Sequence, residues 1–360
     1  MSTTPTAHST GLASAPKGTP SAITRNSQGI RGSRTDMGYA ESKTIAVEEI
    51  PVIDFGGFLK GTPEESMQVA QEIRKAAEEV GFFYIRNHSI PESVITEAHR
   101  ASQSFFSQSQ DSKQKIKINS SHHGFLSVGE AKMESAENID LKESFVWGLD
   151  LPDDHPSVNS ENPFLGRNQW PRDLPQFRDS VYPFFTEGIE CGKKVMRAFA
   201  MSMGIDPQAF VRQMKEPIAR SSIIYYPPQS RELGRSQFGV APHTDYGCLT
   251  LLWQDQVGGL EVQNHQGEWV TAHPIEGTLV VNVGDLLMRW SNDVFRSTPH
   301  RVINRQSCER YSMVVAWDPD FDTLIDPSIV CAEQESALYP PIRCGEYVLS
   351  RFDASFSYRN

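Results

Sequence analysis

The residues with most chemistry to offer are His243, Asp245 and His300. One residue separates the first two, and His300 follows 55 positions after Asp245. In an extended chain residues i and i+2 point to one face, so His243 and Asp245 project together if Val240 to Tyr246 is a strand or opens a turn. Two imidazoles and a carboxylate on one side of an ion, with its other positions open, suit a non-haem iron(II) centre. The tripeptide alone decides little: the chain holds ten histidines, and one His-x-Asp is close to what chance supplies. His300 adds weight, because it opens an apolar run through Val302 and Ile303 where a structural histidine would sit exposed. His265 and His273 lie in polar, turn-like surroundings and read as solvated loop residues.

Ten positions past His300 comes Arg310, then Ser312, alternating with Val314, Ala316 and Asp318 so that all face inward from one strand. A buried guanidinium needs an anion, since unpaired burial costs several kcal/mol. With a hydroxyl beside it, a planar guanidinium suits a carboxylate gripped by parallel bonds. An internal ion pair to Asp285 or Asp318 would serve the same need. Ser222, Ile224 and Tyr226 share one face of an earlier strand, and Tyr226 could offer its hydroxyl to the same anion.

Two kinds of element must position these groups. Residues 50–55 alternate as a short strand, and Met67, Ala70, Ile73, Ala77 and Val80 recur at helical spacing over 63–80. Gly81 ends that helix and Phe82 to Ile85 follows as a buried strand. Further helices are expected at 91–106 and 177–203, with a proline-rich loop over 151–175. From Ile218 onward short strands dominate: 221–226, 248–254, 259–263, 267–271, 278–283, 300–304 and 311–317, divided by turn residues such as Pro227-Pro228, Gly258-Gly259 and Gly284-Asp285. The expected fold is α+β, mainly β. A double-stranded β-helix (jelly roll) forms the core, with a metal in its mouth and a helical N-terminal region packed on it. The expected organisation is a disordered tail over 1–45, a helical region over 46–215, a catalytic core over 216–330 and a C-terminal segment over 331–360 that packs on the core.

Composition narrows the function classes. The net charge of −11 leaves no surplus of Lys and Arg to neutralise phosphates, which argues against nucleic acid. No apolar run is long enough to span a bilayer and the first residues lack the apolar core of a secretory signal, so no membrane is expected. Cys191, Cys248, Cys308, Cys331 and Cys344 are odd in number and form no CxxC pair, which fits a reducing, cytoplasmic setting. The first 35 residues are Ser-rich and basic, with Lys17, Arg25, Arg31 and Arg34 and no acid, but without an amphipathic stripe. A plain disordered tail accounts for them better than a transit peptide.

Ordered short motifs carry a resemblance over residues 49–330 to the Fe(II)/2-oxoglutarate-dependent dioxygenase superfamily, in its isopenicillin N synthase-like branch. Ile50 to Phe55 is similar to its IPVIDF, Gly81 to His88 to its GFFYxxNH, and Lys142 to Phe145 with Gly148 to its KExFxxG. Tyr226-Pro227 is similar to YP, His243 to Gly247 to HTDYG, Gly259 to Val262 to GGLQV, and Asn282 to Leu286 to NxGDxL. Ser297 to Val302 and Arg310-Tyr311-Ser312 complete the order. The resemblance implies that His243, Asp245 and His300 are Fe(II) ligands. It implies that Arg310 and Ser312, assisted by Tyr226, hold the distal carboxylate of 2-oxoglutarate. Several plant members have Asn two residues before that Tyr, where this chain has Ile224. The implied reaction consumes O2 and 2-oxoglutarate, releases succinate and CO2, and oxidises an unactivated C–H bond, with ascorbate as an accessory reductant. Hydroxylation is the expected outcome, with desaturation and ring closure as branches.

Ser144, Val146, Ser222, Ala316 and Asp318 are expected to line the substrate end, with Trp253 and Met288 nearby. Most are small or medium, which suggests a roomy pocket for a bulky natural product or heterocycle, with Asp318 binding an amine or hydroxyl. Amino acids and pyrimidine-like rings also fall within that range. Two alternatives stay open: an isopenicillin N synthase-like oxidase whose Arg-x-Ser pair holds the substrate's own carboxylate, and a cupin-like binding protein without turnover.

Overall fold

The computed structural model describes residues 50–130, 139–159, 162–229, 237–304, 307–331 and 336–356. The tail expected over 1–45 lies outside them. The chain opens with β1 (Val52–Asp54), α1 (Gly56–Lys60), α2 (Pro63–Glu79) and β2 (Phe82–Arg86). The start of α2 is dictated locally. The Thr62 side chain accepts from the Glu65 amide, the Glu65 carboxylate accepts from the Thr62 amide at 2.7 Å, and Pro63 fills the first helical position. Next come α3 (Glu92–Phe106), α4 (Gln110–Gln114), β3 (Gly124–Leu126), β4 (Glu143–Trp147) and the long α5 (Phe177–Ser202).

The strand-rich half follows: β5 (Arg220–Tyr226), β6 (Val240–His243), β7 (Leu249–Gln254), β8 (Leu260–Gln263), β9 (Trp269–Thr271) and β10 (Thr278–Val283). After α6 (Asp285–Trp290) come β11 (His300–Val302), β12 (Arg310–Trp317), β13 (Leu324–Ile325), β14 (Ile342–Arg343) and α7 (Cys344–Ser355). An eight-stranded sheet has the order β1-β2-β10-β7-β12-β5-β4-β3, and a four-stranded sheet the order β6-β11-β8-β9.

Alternation along the strands sorts side chains into two layers. Phe83 and Ile85, Leu279 and Val281, Met313 and Val315 enter the core shared with the helices. Phe82 and Tyr84, Val280 and Tyr226 join Val240, Leu260, Val262 and Val302 of the smaller sheet in a second cluster. Burial of each large apolar side chain contributes about 1.5–3 kcal/mol. Close approach of α5 to β12 depends on glycine: a Cβ at Gly188 would stand 2.7 Å from Val315 Cγ2. Among the described residues no helix is long and apolar enough to cross a membrane, and the five cysteines are free.

The sequence reading makes the first half mostly helical and puts a boundary at 215/216. The larger sheet crosses that boundary, because β1 and β2 extend it beyond β10 while β4 and β3 extend it beyond β5. Short strands such as Gly124–Leu126 carry too few residues for alternation to declare them. Four helices lie outside those expected. The short α1 and α4 flank the expected pair, Gly284-Asp285 reads as a turn yet α6 starts there, and α7 packs Val348 and Phe352 on the core.

Candidate active site

His300 and His243 are direct cross-strand partners in the antiparallel pair of β11 and β6. Their rings therefore leave one face of the smaller sheet side by side, with centroids 4.2 Å apart. Asp245, just past the end of β6, brings Oδ1 to 3.8 Å from Nε2 of each histidine. All three ligand atoms lie within 4.8 Å of one another, the one such group of His, Cys, Asp and Glu among the described residues. The far side of each ring fixes its tautomer. His243 Nδ1 meets the Ala241 carbonyl at 2.8 Å and His300 Nδ1 meets that of Thr298 at 3.2 Å, so each Nδ1–H donates and leaves the Nε2 lone pair free.

Asp245 is aimed in the same way from the other sheet. Its Oδ2 accepts from Thr250 Oγ1 at 2.5 Å and from Asn282 Nδ2 at 2.7 Å, which turns Oδ1 toward the imidazoles. Burial, with His300 beside it, lowers the His243 pKa to about 3. Burial alone would raise that of Asp245, but His300, His243 and the Asn282 and Thr250 bonds outweigh it, and the carboxyl is held below its usual range. A neutral His243 imidazole and an ionised Asp245 carboxylate are states a metal requires of its ligands.

The second group is Arg310 with Ser312. Arg310 is fully buried; its Nε donates to the Gly258 carbonyl, its Nη2 donates to Gln254 Oε1 at 3.3 Å, and its guanidinium carbon lies 4.5 Å from the Tyr226 ring centroid. Neither expected internal partner is engaged with it. Asp285 accepts from Ser297 and Tyr347, and Asp318 pairs with Arg220. Among the described residues no carboxylate stands within ion-pair distance of Arg310. Its Nη1 and the Ser312 hydroxyl are buried with no hydrogen-bond partner. Two such atoms on one strand face would be costly as a resting arrangement. A carboxylate satisfies both, so the residues fit 2-oxoglutarate.

Both groups line one cavity of about 230 Å³ between the sheets. Its walls also include Tyr226, Leu252, Leu260, Lys142, Ser222, Tyr246, Phe352 and Phe356, and Arg220 at the end of β5 away from Tyr226, the cross-strand partner of Arg310. Ser222 and Ala316 are where the sequence reading puts them; the other expectations need correction. Val146 is the cross-strand partner of Ser222 and shares its face, but it is covered by Ile118 and Leu126. Ser144 is buried between Leu126 and Ile224, its cross-strand neighbours, and does not line the cavity. Trp253 and Met288 pack against the helical core.

Asp318 fails for another reason. It lies one residue beyond β12, where alternation lapses, and accepts from Arg220 Nη2 at 3.0 Å and from the Cys248 amide at 2.9 Å. It is not among the residues that line the cavity, where an amine would have to meet it. Nor is the pocket roomy, because Phe352 of α7 and Phe356 just past its end line it. The exposed His265 and His273 match the sequence reading. Asn282 had a legible signal, as the single amide in an otherwise apolar β10; Phe352 and Phe356 had none.

Residues 218–319 match the family described as the 2OG-Fe(II) oxygenase superfamily, and residues 50–173 match the family described as non-haem dioxygenase in morphine synthesis N-terminal. The chain belongs to the 2OG-Fe(II) oxygenase superfamily. A 2-oxoglutarate-Fe(II) type oxidoreductase of Metarhizium rileyi is 33% identical to this oxygenase over 330 residues, covering 86% of this chain and 88% of the relative. A homoarginine-6-hydroxylase of Glycine max is 34% identical over 297 residues, covering 77% and 88%. Among solved structures, a full-length Neurospora crassa protein crystallised in complex with alpha-KG (2-oxoglutarate) and thymine superposes with a TM-score of 0.76 at 30% identity, covering 87% of this chain and 99% of that one. The two packed sheets are the jelly roll of this superfamily, and Fe(II) and 2-oxoglutarate are its cofactor and cosubstrate.

Proposed function

We propose that this oxygenase hydroxylates a small organic molecule, with His243, Asp245 and His300 holding Fe(II) and with Arg310 and Ser312 holding the distal carboxylate of 2-oxoglutarate. The observation that carries the reading is the pair of unpartnered buried atoms, Arg310 Nη1 and Ser312 Oγ, in the cavity that the three metal-type ligands also line. Tyr226 lies under the guanidinium and fixes its plane. When bound, iron and 2-oxoglutarate supply the oxidising power for a C–H bond while succinate and CO2 leave. The chain's own part is to orient and to exclude water: the apolar walls of Phe82, Leu252 and Leu260 keep the centre dry. Ile224, directly across from Ser312, offers no hydrogen bond to the cosubstrate, so Arg310 and Ser312 carry the grip. The small cavity and the descriptions of the homoarginine and thymine proteins support a small-molecule substrate.

Anaerobic protein mixed with Fe(II) and 2-oxoglutarate should develop a weak visible charge-transfer band, and air should then release succinate. Loss of one charge-assisted bond costs about 1.5–3 kcal/mol, so Ser312→Ala should weaken 2-oxoglutarate roughly tenfold, and Arg310→Gln more. No band and no succinate would refute the reading. Substrate turnover without succinate would mean that the clamp holds the substrate's own carboxylate.

A further inference from the structure

Lysine and arginine reach the cavity at three positions: Arg310, Arg220 and Lys142. Arg310 belongs to the clamp. Arg220 stands at the opposite end of β5 from Tyr226 and pairs with Asp318 at 3.0 Å. Lys142 immediately precedes β4, in which Glu143 is the cross-strand partner of Tyr225 and Ser144 that of Ile224. The same register carried one residue back sets Lys142 beside Tyr226 and diagonal to Ile224. Diagonal neighbours across a sheet are about 7–8 Å apart, within reach of a long side chain.

Alternation gives this lysine and the residue after it opposite duties. Glu143 turns to the helical side, where Lys113 Nζ of α4 lies 2.6 Å from its Oε2 and both side chains are buried. Lys142 turns to the cavity, and its side chain is only 12% exposed. Its charge is loosely matched. Asp140 Oδ2 lies 3.5 Å from Lys142 Nζ, longer than a hydrogen bond, and that oxygen has no hydrogen-bond partner. The carboxylate is held elsewhere, because Asp140 Oδ1 accepts from the Ala241 amide at 3.0 Å. An ammonium with three N–H donors, little water and one distant counter-ion keeps a preference for an anion. It also stands within electrostatic range of a metal-type ligand: burial first, and Lys142 among the lesser causes, lowers the pKa of His243.

2-Oxoglutarate has two carboxylates. Arg310 Nη1 and Ser312 Oγ account for the distal one. The other belongs with the metal ligands, and Ile224, across from Ser312, has no donor to give it. Arg220 is at the wrong end of β5 to serve it, whereas Lys142 is next to Tyr226 and within range of His243. Resting on the function proposed above, we infer that Lys142 is a cosubstrate-binding residue whose ammonium takes the metal-end carboxylate of 2-oxoglutarate. The clamp then fixes one end of the cosubstrate and Lys142 the other.

The test titrates 2-oxoglutarate into the anaerobic Fe(II) protein, with binding read by calorimetry and by the visible band. Lys142→Met keeps the aliphatic stem. It should weaken 2-oxoglutarate about tenfold, near the lower end of what a hydrogen bond to a charged group is worth. At saturation it should also shift the band, because the lost contact is to the carboxylate that joins the metal. Lys142→Arg should recover most of the affinity. Ser312→Ala, which acts at the distal end, should lose affinity with the band unmoved. Asp140→Asn keeps an acceptor for the Ala241 amide and removes the counter-ion, so it should bind 2-oxoglutarate at least as tightly as the parent. Mn(II) affinity without 2-oxoglutarate reports on the fold and should match the parent in every variant. Four results would overturn the inference: unchanged 2-oxoglutarate affinity in Lys142→Met, a loss with an unmoved band, a loss of Mn(II) affinity in step with it, or an equal loss in Asp140→Asn. The parent band is scored separately: its absence fails the cofactor assignment, and its presence with Lys142→Met unaffected fails this inference alone.

Discussion

Asn282 offers a sharp perturbation because its role is confined to one atom. It is buried on β10 and donates to Asp245 Oδ2 at 2.7 Å, while Thr250 donates to the same oxygen at 2.5 Å. Asn282→Leu has nearly the same shape and removes one of those two bonds. A hydrogen bond to a charged group is worth about 1.5–3 kcal/mol, which corresponds to roughly 10- to 100-fold in metal affinity. Partners of metal ligands in general give about the same range. Because Thr250 still holds the carboxylate, the lower end is expected, about tenfold. The assay is anaerobic titration with Fe(II), or with Mn(II) as a redox-stable stand-in, followed by tryptophan fluorescence. The affinity for 2-oxoglutarate at saturating metal should stay at its parent value, because neither Arg310 nor Ser312 is touched. Thr250→Val should behave alike. The double variant should exceed the sum of the two in free energy, since each single change leaves the other donor on the shared oxygen. Metal affinity unchanged by Asn282→Leu, or a fall in 2-oxoglutarate affinity in step with it, would refute the reasoning.

Two further outcomes test the frame around the site. Burial pulls the His123 imidazole from 6.5 down to about 4. The unfolded chain therefore takes up a proton before the folded one, and this contribution is intact above about pH 6.5 and lost as pH falls toward about 4, worth about 3 kcal/mol. Urea midpoints measured across that window should fall more steeply for the parent than for His123→Gln, and parallel curves would remove His123 from the account. Gly188→Ala would set a Cβ 2.7 Å from Val315, a stiff β-branched side chain. It should cost about 1–3 kcal/mol by overpacking, seen as a lower urea midpoint with metal affinity unchanged, whereas an unchanged midpoint would show that α5 can back away from β12.

Much of the site was legible because strand alternation reports which face a residue takes. Ser222, Ile224 and Tyr226 do share the cavity face, as do Arg310, Ser312, Val314 and Ala316. Alternation cannot report what lies over that face. Val146 is on the correct side of the sheet yet is covered by Ile118 and by Leu126 of β3, a strand too short to announce itself. Asp318 fails where the pattern itself stops, one residue past β12, and its partner Arg220 is 98 positions away on the neighbouring strand. The aromatic end of the cavity was silent in the sequence, because Phe352 and Phe356 reach it through the docking of α7 and not through any motif.

Three arginines of the jelly roll show why pairing, and not burial, separates a structural cation from a binding one. Arg301 is fully buried, but Glu261 Oε2 lies 2.6 Å from its Nη2 and Trp269 stacks 4.1 Å from its guanidinium carbon, so its charge is matched within the fold. Arg220 is also buried and is matched by Asp318. Arg310 is buried as deeply as Arg301, but its described partners are neutral: a carbonyl, an amide oxygen and the face of Tyr226. Removing the partner of a buried charge costs about 3–5 kcal/mol, so a fold that leaves one cation unmatched holds a standing preference for an anion. At Arg310 that preference lies within the cavity that contains His243, Asp245 and His300. Arg220 differs in degree. Its carboxylate stands behind it, so it is matched for folding and can still donate from its other N–H groups. One arginine thus serves the fold, one serves an anion, and Arg220 is matched for folding while it still lines the cavity.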